Sequence, residues 1–379
     1  MKPAPSSSRI NWIDEYKGFV LLLVCLFHVE QSFKHVNMNM EWLSACRMTA
    51  FFFISGALFS MRRFPHFKDY FIHKTKVLLL PYITLSILFL LIDPTLWDFS
   101  YYPQSPKMTI MNTHPVITNR IDYIYWNIVK IFVAGKSSIG SGPLWFVFTL
   151  YSISLLFFLS QKLCRKISRA YFSGRRTSRN ILTAVIIAIS LASGWILYKN
   201  HTRLPLGFER DLTTLSFFAL GSLAKPLIRK IQKFPAWALV LITIASIWLY
   251  SLCNHVGPYF SIMNNDLGKS FWAFFSSSIL GITSIVTLMI LVSRTPFNSV
   301  KGLLRYIARN ALVILAVHWW ALLCLRLMFK KELDHPGIAY QVIPLVIIAI
   351  LMAIPLFRCK LHWLIGKERI SFRESLSLN

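Results

Sequence analysis

Apolar runs of 17 residues or more recur along the whole chain, separated by short polar and basic segments. Ten can be drawn, over residues 17–35, 43–61, 77–97, 143–163, 181–199, 212–228, 236–253, 270–293, 310–329 and 341–357. Each has the length of a helix that crosses a bilayer. None shows the ten-residue alternation of a membrane barrel strand. The pattern predicts an all-α polytopic membrane protein, a bundle of about ten transmembrane helices. One further stretch, IDYIYWNIVKIFVAG over residues 121–135, is too short and too polar to cross. It reads as a helix lying at one membrane interface, or as a re-entrant piece. Neither an internal repeat nor a long linker interrupts the series. A single membrane domain is expected over residues 1–379, ending in a basic tail at 358–379.

Composition agrees with the pattern. Of 379 residues, 55% are hydrophobic and 15% are charged, where a soluble domain would carry about 25% charged residues. Mean hydropathy is +0.54. The net charge of +26 requires counter-charges. Its lysines and arginines lie between the apolar runs and form no single stripe, which points to anionic lipids and cofactor phosphates and away from nucleic acid. With the N-terminus placed inside, 28 of the 41 basic residues fall in inner segments, 12 in outer ones, and Arg47 within a run. That asymmetry predicts an even number of crossings with both termini in the cytoplasm. The first run lacks a following small-residue cleavage site and is expected to stay as an uncleaved anchor. Six scattered cysteines suggest neither a disulfide framework nor a zinc site, and no ligand cluster implies a metal.

Candidate chemistry begins with His28, inside the first run, in KGFVLLLVCLFHVE. An ionisable ring at membrane depth is costly and marks a functional site by default. Lys17 precedes it by eleven residues, which places the two within roughly 20° of one helix face and about 16 Å apart. Asp14 lies near the same stripe, as a partner for a neighbouring base. His28 is either a general base or a buried histidine bonded to another helix. Glu30 does not share its face, so an acid that orients His28 is expected from another helix, which the sequence does not identify. Arg47 is a fixed charge inside the second run, held by an acid, by a carbonyl, or by substrate. His318, some eight residues into the ninth run, can orient His28, line a substrate path, or pack. Trp145 is an interfacial belt residue or a tunnel wall. Arg62, Arg63, Lys74 and Lys76 in the first inner loop serve topology or bind phosphates, and Ser55 and Gly56 read as packing residues.

Four blocks in this order resemble the membrane-bound acyltransferase-3 family, including its fucose 4-O-acetylase-like members. WIDEYKGFVLLLVCLFH resembles the family's basic residue–ten residues–His motif, with Lys17 where arginine is commoner. RMTAFFFISG (residues 47–56) is similar to its R/H-M-P-x-F-F-F-x-S-G segment, with Thr49 in place of proline. RRFPHFKDYFIHKTKVLLLPY (residues 62–82) is similar to its basic loop. GPLWFVFTLY (142–151) and RNALVILAVHWW (309–320) are similar to two later segments, the second lacking the usual tyrosine before the histidine. The resemblance covers residues 10 to about 357. It implies transfer of an acyl group, usually acetyl, from cytoplasmic acyl-CoA to a hydroxyl of a cell-envelope glycan or exported small molecule. His28 would then be catalytic, and Lys17, Arg47, Arg62 and Arg63 would contact the acyl-CoA, which is a co-substrate and not a resident cofactor. Trp145 and His318 would line the substrate path, in what is expected to be a bacterial inner membrane. The rival is a transporter using His28, Arg47 and His318 as a proton or substrate path, though paired halves with Gly/Pro-broken helices are not visible. A non-catalytic member that recruits other envelope enzymes is a further alternative.

Overall fold

A helix stands at each of the ten apolar runs in the computed structural model, which describes residues 11–100, 110, 113–136, 142–255, 259–329, 335 and 337–377. In chain order the helices are α1 (Asn11–Ser32), α2 (Ser44–Ala57), α3 (Phe67–Lys74), α4 (Leu80–Asp98), α5 (Arg120–Phe132), α6 (Trp145–Tyr171) and α7 (Arg176–Lys199). There follow α8 (Phe208–Ile231), α9 (Ala236–Asn254), α10 (Phe271–Arg294), α11 (Asn298–Arg309), α12 (Ala311–Met328) and α13 (Val342–Pro355). No strand occurs among the described residues. Among the described residues, seven helices are long and apolar enough to cross a membrane, α3 joining α4 through a wide turn to make one of them. The protein is therefore an all-α, multi-pass integral membrane protein. The YYPQSP stretch at 101–106 lies outside the described residues.

Of the helices at the ten apolar runs, three miss that criterion: α1, α2 and α8. Fourteen residues make α2 only about 21 Å long, and α1 and α8 each carry several charges. Both departures have one cause: these helices form the interior, so their partners are protein and not lipid. The helices that face outward are the plain apolar ones. α7 and α9 bury less than a quarter of their apolar windows, whereas α6 and α10 bury more than half.

Glycines bring α2 close to its neighbours. A Cβ on Gly56 would meet the Phe218 carbonyl oxygen of α8 at 1.8 Å, and one on Gly221 of α8 would meet the Phe53 carbonyl oxygen of α2 at the same distance. Small residues at a crossing let backbones approach where no hydrophobic force drives helices together. Polar contacts add to the grip: Tyr16 of α1 donates to the Ala50 carbonyl (3.2 Å), and Ser278 of α10 to the Ala45 carbonyl (3.0 Å).

The bundle has two distinct ends. At the basic end, α11 packs on the start of α1, where Gly18 meets the Leu304 carbonyl and Arg305 lies 3.9 Å from Glu15. At the far end, Glu30 accepts from the backbone N–H groups of Met38 (3.0 Å) and Met40 (2.9 Å), folding residues 33–43 over the mouth between α1 and α2. There too, Asn254 donates to the Trp42 carbonyl and Tyr340 to the Asn37 carbonyl.

Candidate functional site

One stripe of α1 opens on a cavity of about 510 Å³. Leu21, Val24, His28 and Gln31 line it, at helical spacings of three and four residues. The facing wall is a second stripe, Ser44, Arg47, Met48 and Phe51 of α2. Trp145 and Phe146 of α6 and Leu315 and Trp319 of α12 close the sides, and residues 259–264 close the far end with Lys130 and Lys136. The lining reaches inward to Leu21 and stops one turn short of Lys17. Phe51 and Phe146 meet edge to face at its base, with centroids 4.7 Å apart.

His28 sits partly exposed in this wall, one turn from the far end of α1. Its Nδ1 is 2.8 Å from Nε2 of His318, which is itself fully buried. Nδ1 of His318 is 2.6 Å from the Ile314 carbonyl oxygen. A carbonyl can only accept, so His318 Nδ1 carries the hydrogen. In a neutral ring His318 Nε2 then holds a lone pair, and His28 Nδ1 must donate to it. That assignment leaves Nε2 of His28 with its lone pair, the form a general base needs. The group that orients His28 is thus another imidazole, carried on α12, and Trp319 packs edge-on against the His28 ring at 5.1 Å.

Arg47 is nearly buried at 6% exposure. Its Nη1 donates to the Met40 carbonyl (2.9 Å), and its guanidinium carbon lies 3.6 Å from the centre of the Phe27 ring. A carbonyl contact and a ring face satisfy part of the fork, and the side chain still lines the cavity with His28.

Lys130 and Lys136 arrive from α5 and the turn after it. The exposed apolar residues of α5, Ile121, Tyr125, Ile128 and Phe132, form one stripe, as expected for a helix with lipid on one side. Asn119 caps its start by accepting from the Asp122 N–H. Thr118 also donates to the Asp122 carboxylate, and these bonds hold it below the usual carboxylate range. Beyond the helix, Tyr82 donates to the carbonyls of Ile131 and Lys136, and Arg210 to that of Gly135, whose φ of +58° suits glycine. Burial and the neighbouring Lys136 push the Lys130 ammonium down to about 8, with Asp93 opposing. Burial and the Arg210 and Arg203 guanidinium groups push Lys136 down to about 8, with Glu209 opposing.

The remaining predicted residues lie elsewhere. Lys17 is on the inward continuation of the His28 stripe and pairs with Asp14 at 3.8 Å. Arg63 and Lys17 are both close enough to Lys74 to repel it. Arg62 is exposed, and its charge acts on Arg165. Arg165 lies with Lys162, Lys166 and Arg169 in a shallow groove against Met61 and Pro65. The structure brings His28, Arg47, Trp145 and His318 together around one cavity, with His318 behind the wall instead of in it. Lys17, Arg62 and Arg63 gather at the basic end. Lys130 and Lys136 were not singled out from sequence. Their signal was the α5 stripe: if one face takes lipid, the lysine on the other must face protein.

The profile of a family described as an acyltransferase domain, acyltransferase-3, matches residues 10–357 of this chain. No curated protein matches it. No solved structure matches it either.

Proposed function

This chain belongs to the acyltransferase-3 family and is a membrane O-acyltransferase, and on that premise we propose that it moves an acetyl group from cytoplasmic acyl-CoA to a hydroxyl of an envelope glycan or exported small molecule, with His28 as the base. Family membership decides for an enzyme over the transporter reading. The observation that carries the rest is the tautomer chain Ile314–His318–His28, because it leaves a lone pair on a ring that lines a cavity.

In the proposed orientation the basic end faces the cytoplasm of a bacterial inner membrane, with both termini there. Acyl-CoA approaches that end, where Lys17, Arg63 and Lys74 attract its phosphates and the groove beside Arg62 offers further cations. The pantetheine arm then runs about 16 Å along the α1 stripe from Lys17 toward His28. His28 Nε2 takes the proton from the acceptor hydroxyl as its oxygen attacks the thioester carbonyl. The negative charge that develops on the carbonyl oxygen is met by the Arg47 guanidinium, a fixed positive charge that is itself buried. Collapse breaks the C–S bond, and the thiolate takes the proton back from His28. The products are the acetyl ester and CoA thiol, with no net proton change.

Removing a general base costs about 10²–10⁴ in rate. His28→Ala should therefore abolish the acetyl-sized mass added to envelope glycans, measured by mass spectrometry in cells with and without the protein. An unchanged acetylation pattern in that variant would refute the assignment and favour a non-catalytic role.

A further inference from the structure

We propose that the acceptor carries an anionic group, a carboxylate or a phosphate, held by the Lys130 and Lys136 ammonium groups at the far end of the His28 cavity. This inference rests on the acyl-transfer reading and adds the acceptor's chemical class to it.

Three charged residues line the cavity among those described, Arg47, Lys130 and Lys136, and none of the lining residues is a carboxylate. The acids nearby are engaged with other groups. Glu30 accepts two backbone N–H groups, Glu209 lies 3.9 Å from Arg203, and Asp211 lies 3.9 Å from Arg210. Asp93 is fully buried, acts on Lys130 and does not line the cavity. The wall presented to a ligand is therefore positive.

An interfacial lysine ordinarily extends to lipid headgroups. Lys130 does not follow that rule, because it lies off the exposed apolar stripe of α5 and lines the cavity. Burial and the field of Lys136 hold the Lys130 ammonium near 8, and burial with the fields of Arg210 and Arg203 holds that of Lys136 near 8. Two partly desolvated like charges beside an open space are an arrangement that an anion relieves. The donor's phosphates have their own cations at the basic end, so the far-end pair is left for the acceptor. The cavity has the size of a small-molecule site, and a sugar acid bound there would place its ring between the lysines and His28.

The test uses the full chain purified in lipid nanodiscs, with thermal unfolding followed at matched ionic strength. Glucuronate, glucose 6-phosphate and neutral fucose are the probes, with acetyl-CoA titrated separately. At least one acidic sugar should raise the unfolding midpoint saturably, the two arms separating carboxylate from phosphate, and fucose should not. Lys130→Gln and Lys136→Gln should each weaken the acidic-sugar titration about tenfold or more and move that of acetyl-CoA less than twofold. Lys136→Arg keeps the charge and should restore the response, which guards against a folding defect. Equal response to fucose, no saturable response to either acid, or an acidic-sugar titration indifferent to both Lys→Gln changes overturns the proposal. So does a parallel loss of acetyl-CoA binding, which would give these cations to the donor. His28→Ala should bind the acidic sugar normally, so failure of acetyl transfer is read apart from failure of anion binding.

Discussion

The histidine pair shows why a single residue's chemistry is legible only in part from sequence. That His28 is a costly group at depth follows from the run around it. Its orienting partner is 290 positions away, and no local spacing rule connects them. Nor does sequence favour an imidazole over an acid as that partner. The assigned tautomers make two substitutions at His318 behave differently. His318→Leu leaves the His28 Nδ1–H without an acceptor, a loss of about 1–3 kcal/mol, or roughly five- to 150-fold in kcat. His318→Gln can still accept through its amide oxygen and should recover most of that rate. In both, KM for acetyl-CoA should stay within about twofold, since His318 does not line the cavity. A matching rise in KM would mean that the substitution had merely disturbed packing. The lysines make a pH prediction at the same scale. Lys130 and Lys136 are charged below about 8 and neutral above it. Binding of an acidic sugar should therefore weaken as pH rises from about 7 to 9. Arg203 and Arg210 are the guanidinium groups that face Lys136. Asp93 and Glu209 are the opposing acids. A titration flat over that range would show that the ammonium groups are not the ligands.

Helices were more legible than their neighbours. The 17/28 alignment on α1 follows from 3.6-residue periodicity, and the structure shows the face in use: Leu21, Val24, His28 and Gln31 line the cavity, with Lys17 one turn further in. Hydropathy placed α2 and α8 as membrane segments but could not tell that they are interior, because a run of apolar residues suits lipid and protein alike. The reason they pack inside lies in Gly56 and Gly221, whose missing Cβ atoms let two carbonyls approach. Replacing Gly56 by leucine would put a side chain where the Phe218 carbonyl stands and force α2 off α8. That shift also carries Arg47 and Phe51 away from α1. The variant should unfold about 5 °C or more below the parent in nanodiscs, and its remaining folded fraction should show reduced kcat. An unaltered midpoint would mean that the crossing is looser than these distances require.

Across the whole molecule, cationic groups gather at both ends while the His28 ring sits between them. Lys17, Arg63 and Lys74 crowd the basic end, and Lys130 and Lys136 the far end. The positive-inside count made the first set visible from sequence; the second was hidden in a segment whose apolar stripe drew attention to lipid. On the proposed orientation, donor and acceptor enter from opposite compartments and meet at His28, with the Phe51–Phe146 contact lying between the basic end and the cavity. Phe51→Trp narrows the passage at that contact and should lower kcat/KM for acetyl-CoA while sparing the glucuronate titration. Sidedness is the stricter test. In right-side-out vesicles from expressing cells, acetyl-CoA trapped in the lumen should label external glycan, and acetyl-CoA added outside should not. Inside-out vesicles should use added acetyl-CoA, and His28→Ala should be silent in both. Efficient labelling from outside in right-side-out vesicles would mean that the donor enters through the far-end cavity, and would reverse the assignment of both cation clusters at once.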